Sequence, residues 1–167
     1  MFDLTGRIAV VTGASAGLGR GEAIALARQG ADVAIIARRA EKLDEVAAEI
    51  RGLGRRCLPV VCDVTEPGQI ETAIGQIIAE YGKVDILVNN TGGGPSAPLE
   101  DISDEMFMYH VQLELMATFR FTRGFGKYML ERGYGRVINI ASILGLGGIG
   151  VPGEAKCIAY ESCKGAV

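Results

Sequence analysis

Residues 8–21 read IAVVTGASAGLGRG, and this stretch decides the fold of the chain. An apolar run, predicted to be a strand, stops in a glycine-rich turn, and an alanine-rich segment predicted to be a helix follows. Gly13, Gly17 and Gly19 have no Cβ, so the backbone can turn sharply and approach another group closely. The unpaired N–H groups of a helix that begins near Gly17 would point into the same place. The pattern therefore predicts either a diphosphate site or a plain strand-to-helix connection.

The rest of the chain continues this alternation of strands and helices. Strands are predicted at residues 7–12, 32–37, 57–62, 84–89 and 136–141, and helices at residues 18–29, 41–51, 66–81 and 104–132. The strands are continuously apolar, which is typical of a parallel sheet covered on both faces by helices. Right-handed crossovers then give a doubly wound, Rossmann-type α/β/α fold of three layers.

We expect one dinucleotide-binding domain over residues 1–167, incomplete at its C-terminal end. The fold would be truncated after the fifth strand and the start of a last helix near residues 154–157, beyond a glycine-rich loop at 144–153. Within the long fourth helix, we expect a weak point at Gly124 and Gly126, because glycine is a poor helix former.

Composition excludes several classes of function. The net charge is −3 with mixed signs and no basic stripe, so no nucleic-acid partner is expected. No apolar run approaches the roughly 18–20 residues of a membrane span, and the N-terminus does not resemble a signal peptide. We therefore expect a cytoplasmic location. The cysteines Cys57, Cys62, Cys157 and Cys163 form no CxxC pair, so we expect no metal site and interpret the first two as apolar filler of a buried strand.

Tyr160 and Lys164 are four residues apart, a spacing that places both on one face of a helix. An ammonium group beside a phenol favours the phenolate, which would make Tyr160 a proton donor and acceptor. The alternative is a solvated pair on a helix surface. Ser142, just after the fifth strand, precedes this pair in the sequence.

Together, TGASAGLG at residues 12–19, Ser142 and the YxxxK pair resemble the short-chain dehydrogenase/reductase family, classical type. Within that family the chain resembles 3-oxoacyl-acyl-carrier-protein reductases and gluconate 5-dehydrogenase-like members. The resemblance implies an oxidoreductase that interconverts a ketone and a secondary alcohol with a nicotinamide cofactor. Ser142 would polarise the substrate carbonyl, Tyr160 would transfer the proton, and Lys164 would also bind the nicotinamide ribose.

The resemblance also implies a set of cofactor contacts at the ends of the strands. These are Gly13, Ser15, Gly17, Leu18, Gly19, Asp63, Val64, Asn90, Tyr160 and Lys164. Asn90 belongs to NNTG at residues 89–92, which resembles the family's NNAG. For Asp63, the alternative is a cap on the helix that follows.

The end of the second strand predicts the cofactor by its charge. Enzymes that use NAD generally place a carboxylate there for the ribose 2′-hydroxyl, whereas this chain has Ala37 followed by Arg38 and Arg39. Guanidinium groups suit a 2′-phosphate. We therefore predict that NADP(H) is preferred and NAD(H) possible, with Arg38 the main contact and Arg39 secondary. The alternative is two solvated arginines opening the next helix.

Glu114 departs from the family pattern, because the family's fourth catalytic residue is an asparagine at this position. A glutamate favours unbroken helix and its charge changes the site, although it could hold a water or pair with Lys164. This departure and the truncated pattern leave the alternative of an inactive, cofactor-binding protein or fragment; a third alternative is a nucleotide-binding regulator. His110, the single histidine, is one turn before Glu114 and is interpreted either as its contact or as ordinary helix surface.

The expected partners are a small-molecule carbonyl or alcohol substrate and further copies of the chain, with no membrane. By resemblance, the long helix packs against its counterpart in a dimer or tetramer. Its apolar residues are Phe107, Val111, Leu115, Phe119, Phe121 and Phe125.

Overall fold

The computed structural model describes residues 2–147 and 158–167, which form a five-stranded sheet flanked by helices. The strands are β1 (Ile8–Thr12), β2 (Asp32–Ala37), β3 (Cys57–Val61), β4 (Ile86–Asn89) and β5 (Arg136–Asn139). The helices are α1 (Gly17–Arg28), α2 (Ala40–Gly52), α3 (Pro67–Tyr81), α4 (Asp104–His110), α5 (Ala117–Glu131) and α6 (Ile158–Ala166). All neighbouring strands are parallel, in the order β3-β2-β1-β4-β5. The predicted doubly wound α/β fold is confirmed.

The continuous apolar sequences of β1, β2 and β4 are explained by burial on both faces of the sheet, whereas β5 at the edge is exposed. All five residues of β1 are buried, and because side chains alternate along a strand, Val10 and Val11 enter different cores. Val11 belongs to the core under α1 and α2, and Val10 to the core under α3 and α5. Helices therefore cover the central strands on both faces of the sheet.

The long helical stretch differs from the prediction in where it is irregular. Between α4 and α5 the chain forms a π-helical turn (Val111–Met116), so the expectation that Glu114 favours unbroken helix was wrong. The expected weak point at Gly124 and Gly126 was also wrong, because α5 runs through both. A Cβ at Gly124 would collide with the side chain of Ile74, so this glycine lets α5 pack closely on α3.

The segment after β5 is only partly described. A short 3-10 turn (Ile143–Gly145) opens the predicted glycine-rich loop. The remainder of that loop, the predicted helix start at residues 154–157, and Cys157 lie outside the described residues.

Two further features of the described chain bear on function. No helix in residues 2–147 and 158–167 is long and apolar enough to cross a membrane, and no group of three metal-binding side chains occurs there. Cys57 and Cys62 are buried as expected, and burial raises the pKa of the Cys57 thiol to about 12 and that of Cys62 to about 11. Both thiols are therefore protonated at neutral pH and serve as packing groups.

Candidate active site

A cavity of about 660 Å³ lies at the carboxyl ends of the parallel strands. It gathers residues that are far apart in the sequence. Those of the predicted site that line it are Gly13, Ser15, Leu18, Arg38, Arg39, Asp63, Val64, Asn90, Ser142, Tyr160 and Lys164. Gly17 and Gly19 lie in the first turn of α1 and do not line the cavity. Glu114 does not line it either but contacts Lys164, which does.

The turn between β1 and α1 packs closely against the start of α1, because glycines stand at the points of contact. A Cβ at Gly19 would lie 2.6 Å from the backbone oxygen of Gly13, and Gly13 itself has φ +67°. The residue that precedes α1 is Ala16, which offers no side-chain hydrogen bond to the first turn. The N–H groups of that turn are therefore not capped by a side chain, and the turn fits an anionic group.

Thr12 joins the ends of β1 and β4 beneath this turn. The amide nitrogens of Asn90 and Thr91 donate to Thr12 Oγ1 over 3.0 and 3.1 Å, and Asn90 Nδ2 donates to the Thr12 carbonyl over 2.9 Å. One residue earlier, Asn89 Nδ2 donates to Asn139 Oδ1 over 2.9 Å. The predicted NNTG motif thus connects the carboxyl ends of β1, β4 and β5 through hydrogen bonds.

Two arginines stand beside the glycine-rich turn. Arg39 Nη2 donates to Ser15 Oγ over 3.0 Å, and Arg38 Nη1 lies 3.9 Å from Asp63 Oδ2 with most of its side chain exposed. Asp63 does not cap the next helix, so that alternative was wrong. Its Oδ1 instead accepts hydrogen bonds from the backbone and hydroxyl of Thr65, over 3.0 and 2.8 Å. The guanidinium groups therefore meet the cavity at the end of β2, where the sequence predicted them.

Lys164 is buried, so its interpretation as a solvated helix residue was wrong. Its Nζ donates to the carbonyl of Ile140 over 2.6 Å and lies 5.8 Å from the centre of the Tyr160 ring. Ser142 Oγ accepts a hydrogen bond from Leu144 N over 3.2 Å. The three residues line the same cavity as the glycine-rich turn.

Glu114 and His110 are also fully buried, so the interpretation of the pair as helix surface was wrong. Glu114 Oε2 lies 3.3 Å from Lys164 Nζ, which confirms the predicted pairing. Its other oxygen, Oε1, accepts from Gly93 N over 3.2 Å and lies 3.3 Å from His110 Nδ1. Glu114, which departs from the family pattern, therefore contacts Lys164, Gly93 and His110 within the site.

Sequence reasoning missed part of the lining. Residues 92–94 and Tyr109 belong to the wall near Lys164, and the signal for the former was the unusual glycine run after NNT. The hydrogen bond from Lys164 to the Ile140 carbonyl could not be predicted from the sequence, because every residue has a backbone carbonyl. Only the position of β5 next to β4 brings it to the lysine.

A parallel sheet in this order, with a glycine-rich turn after β1, defines the doubly wound α/β class, whose ligands bind outside the carboxyl ends of the strands. The sequence profile described as short chain dehydrogenase matches residues 7–167, and the chain belongs to this family.

Relatives and solved structures agree with that assignment. The chain is 36% identical over 168 residues, 99% of its length, to 2-dehydro-3-deoxy-D-gluconate 5-dehydrogenase of Pseudoalteromonas atlantica. It matches L-sorbose reductase of Gluconobacter frateurii, solved with NADPH and L-sorbose, with TM-score 0.90 and 32% identity over 99% of its length. It matches NAD+-bound xylitol dehydrogenase with TM-score 0.90 and 29% identity over 98% of its length.

The chain is shorter than these proteins. It spans 64% of the dehydrogenase from Pseudoalteromonas atlantica and 61% of each of the two solved chains.

Proposed function

We propose that this chain belongs to an NADP(H)-dependent oxidoreductase that interconverts a ketone and a secondary alcohol, with Tyr160 as general acid and base. One observation carries the proposal. Tyr160, Lys164 and Ser142 line the same cavity as the glycine-rich turn and Arg38, so a proton-transfer group and a phosphate-binding group face one ligand.

The residues present fit a dinucleotide phosphate. The turn before α1, with Ser15 and Leu18 at the cavity, would hold the diphosphate on uncapped N–H groups. Arg38 is the main contact for the 2′-phosphate and Arg39 the second, because no carboxylate stands at Ala37 to repel it. Asp63, Val64 and Asn90 would contact the adenine and ribose groups.

Each group of the catalytic wall then has a distinct task. When bound, the nicotinamide supplies or accepts the hydride. Ser142 Oγ is already the acceptor for Leu144 N, so its hydroxyl proton is available to the substrate oxygen. Tyr160 gives its phenolic proton to that oxygen in reduction and takes it back in oxidation. The ammonium of Lys164 lies 5.8 Å from the centre of the tyrosine ring and has the opposite charge to the phenolate that results.

The substrate is proposed to be a small hydroxyl-bearing carbonyl compound, because several of the relatives are named for gluconate-type acids and sugars. The inactive alternative rested on Glu114. It is not favoured, because the carboxylate is accommodated beside Lys164 and the relatives are named as dehydrogenases.

The test replaces Tyr160 by phenylalanine in the full-length protein and measures NADPH consumption on a panel of sugar-acid, polyol-derived and acyl-thioester ketones. We expect kcat to fall by about 10²- to 10⁴-fold, with cofactor affinity retained. Tyr109→Phe is the matched control, since Tyr109 lines the same cavity, and it should keep most of the activity. Normal turnover by Tyr160→Phe would refute the assignment.

A further inference from the structure

A glycine-rich loop wraps the helical turn that carries His110 and Glu114. In this 92–95 loop, Gly93 N donates to Glu114 Oε1 over 3.2 Å, and the Pro95 carbonyl lies 2.9 Å from His110 Nε2. A Cβ on Gly92 would lie 3.1 Å from Lys164 Nζ and 3.3 Å from Glu114 Oε2. A Cβ on Gly94 would lie 2.8 Å from the His110 ring. The loop and the helical turn fit each other because positions 92 and 94 have no side chain.

The partners of His110 determine where its protons lie. A carbonyl oxygen can only accept, so Nε2, which faces Pro95, carries a hydrogen. A backbone N–H can only donate, so Glu114 Oε1 is an acceptor toward Gly93. The 3.3 Å contact between Nδ1 and Oε1 is then a hydrogen bond only when one proton lies between the two atoms. For this contact to be a hydrogen bond, the histidine and the glutamate must share that proton.

This shared proton matters because the carboxylate has no access to water. The Glu114 and Lys164 side chains are 0% and 5% exposed, and Oε2 makes no hydrogen bond although it lies 3.3 Å from Lys164 Nζ. Burying charges is costly unless they are paired and hydrogen-bonded. The rings of Tyr109, on its own helix, and Tyr160, on α6, also lie near His110, at 6.0 and 6.3 Å between ring centres.

We propose that His110 is a positioning residue of this site and acts through Glu114. Together with the 92–95 loop it fixes the Glu114 carboxylate against Lys164, and the proton it shares balances the charge of that carboxylate. Lys164 is thereby held as an ammonium group between the Ile140 carbonyl and Tyr160. The part of this inference that concerns turnover rests on the proposed function.

The first test begins with the wild type, because His110 is the only histidine of the sequence. In tag-free, full-length protein without cofactor, ¹⁵N-edited NMR of the imidazole reports on this ring alone. We expect a hydrogen on Nε2, which faces the Pro95 carbonyl. A neutral ring with hydrogen on Nδ1 and none on Nε2 would overturn the inference. In Glu114→Gln the Nδ1 signal should move and the Nε2 signal should stay, whereas an unmoved Nδ1 signal would also count against it.

The second test is a double-mutant cycle on turnover. Coupled neighbours typically interact by amounts worth between about twofold and a hundredfold, so His110→Asn should lower kcat within that range and change the KM for cofactor little. In a Glu114→Asn background, His110→Asn should cause no further loss. An equal loss in both backgrounds would show that His110 does not act through Glu114. Met108→Gln, an exposed change on the same helix, is the control and should leave turnover unchanged.

The outcomes separate this inference from the proposed function. If Tyr160→Phe turns over normally, the proposed function fails, and the NMR result on His110 still decides the proton-sharing contact. If Tyr160→Phe is inactive but the histidine acts independently of Glu114, only the positioning role fails.

Discussion

Gly17 stands at the first position of α1, next to the cavity but outside its lining. Its backbone is left-handed, with φ +57°, and a Cβ there would meet no protein atom within 4 Å. An added side chain would therefore disturb a ligand on the helix start more than it would disturb the packing of the protein.

We predict that Gly17→Ala weakens NADPH binding by at least about tenfold, because the methyl group occupies the approach to the uncapped N–H groups. Gly54→Ala is the matched control. Gly54 has a similar φ of +75°, the same open space and no part in the cavity, so it carries the same backbone strain without a ligand. Fluorescence titration of both variants decides between the two effects. Equal affinities would contradict a diphosphate at this turn.

At this scale the sequence predicted the chemical groups better than their surroundings. The spacing of Tyr160 and Lys164 and the pair Arg38 and Arg39 identified side chains that do line the cavity. The burial of Lys164 and His110 could not be predicted, because it depends on the Ile140 carbonyl and on the 92–95 loop, which other elements bring into place.

A network of charged side chains holds the start of β4 in place. The Asp85 carboxylate is fully buried, accepts from the backbone N–H of Ile8 over 2.9 Å and lies 3.0 Å from Lys83 Nζ. Arg7 and Arg132 approach it to 3.4 and 3.5 Å. Burial by itself would raise the pKa of Asp85, but the hydrogen bond from Ile8 and the cations outweigh it and lower that pKa. The carboxylate thus ties β4 to the start of β1 and the end of α5.

We predict that Asp85→Asn lowers the free energy of unfolding at pH 7 by about 2 kcal/mol, the usual loss for hydrogen bonds to a charged group. Because the folded pKa lies below the unfolded value of about 3.9, this stability is present above that value and is lost as pH falls through the folded pKa. Urea unfolding at several pH values should show the difference between wild type and variant shrinking in acid. A difference that stays constant with pH would contradict this account, and the exposed Asp44→Asn on α2 should show none.

The five strands and the first three helices were predicted with the correct type and order, and their boundaries differ from the observed ones by at most two residues. The long helix shows why local propensity was insufficient. Its irregular turn lies at Glu114, a good helix former, and not at Gly124, since a buried carboxylate and a close helix contact outweigh intrinsic preference.

For the whole molecule, one face of the long helix presents residues four apart, Phe107, Val111, Leu115 and Phe119. Phe121 and Phe125, expected with them, are instead buried in the core, whereas Phe119 is 49% exposed. By resemblance to the family, we predict that the full-length protein is a dimer or tetramer through this face, and that Phe119→Lys shifts it toward monomer in light scattering. Leu53→Lys, which changes an exposed apolar residue at the end of α2, is the control. A monomeric wild type would contradict the prediction.

The central claim is that the cavity at the strand ends binds NADP(H), with Arg38 as the contact for the 2′-phosphate. Arg38 is mostly exposed and 3.9 Å from Asp63, so its guanidinium can turn to a phosphate at little cost. The fold accepts either cofactor, since the solved neighbours include one with NADPH and one with NAD+. Charge at the end of β2 must therefore decide the preference.

The most direct measurement is a calorimetric titration of NADPH and NADH into the full-length wild type and into Ala37→Asp/Arg38→Leu. The account predicts that the wild type binds NADPH at least about tenfold more tightly, because the guanidinium pairs with the 2′-phosphate. The double variant should lose that preference, because its new carboxylate repels the phosphate and accepts from the ribose hydroxyl. Equal binding of the two cofactors by the wild type would contradict the predicted preference, and binding of neither would contradict the central claim.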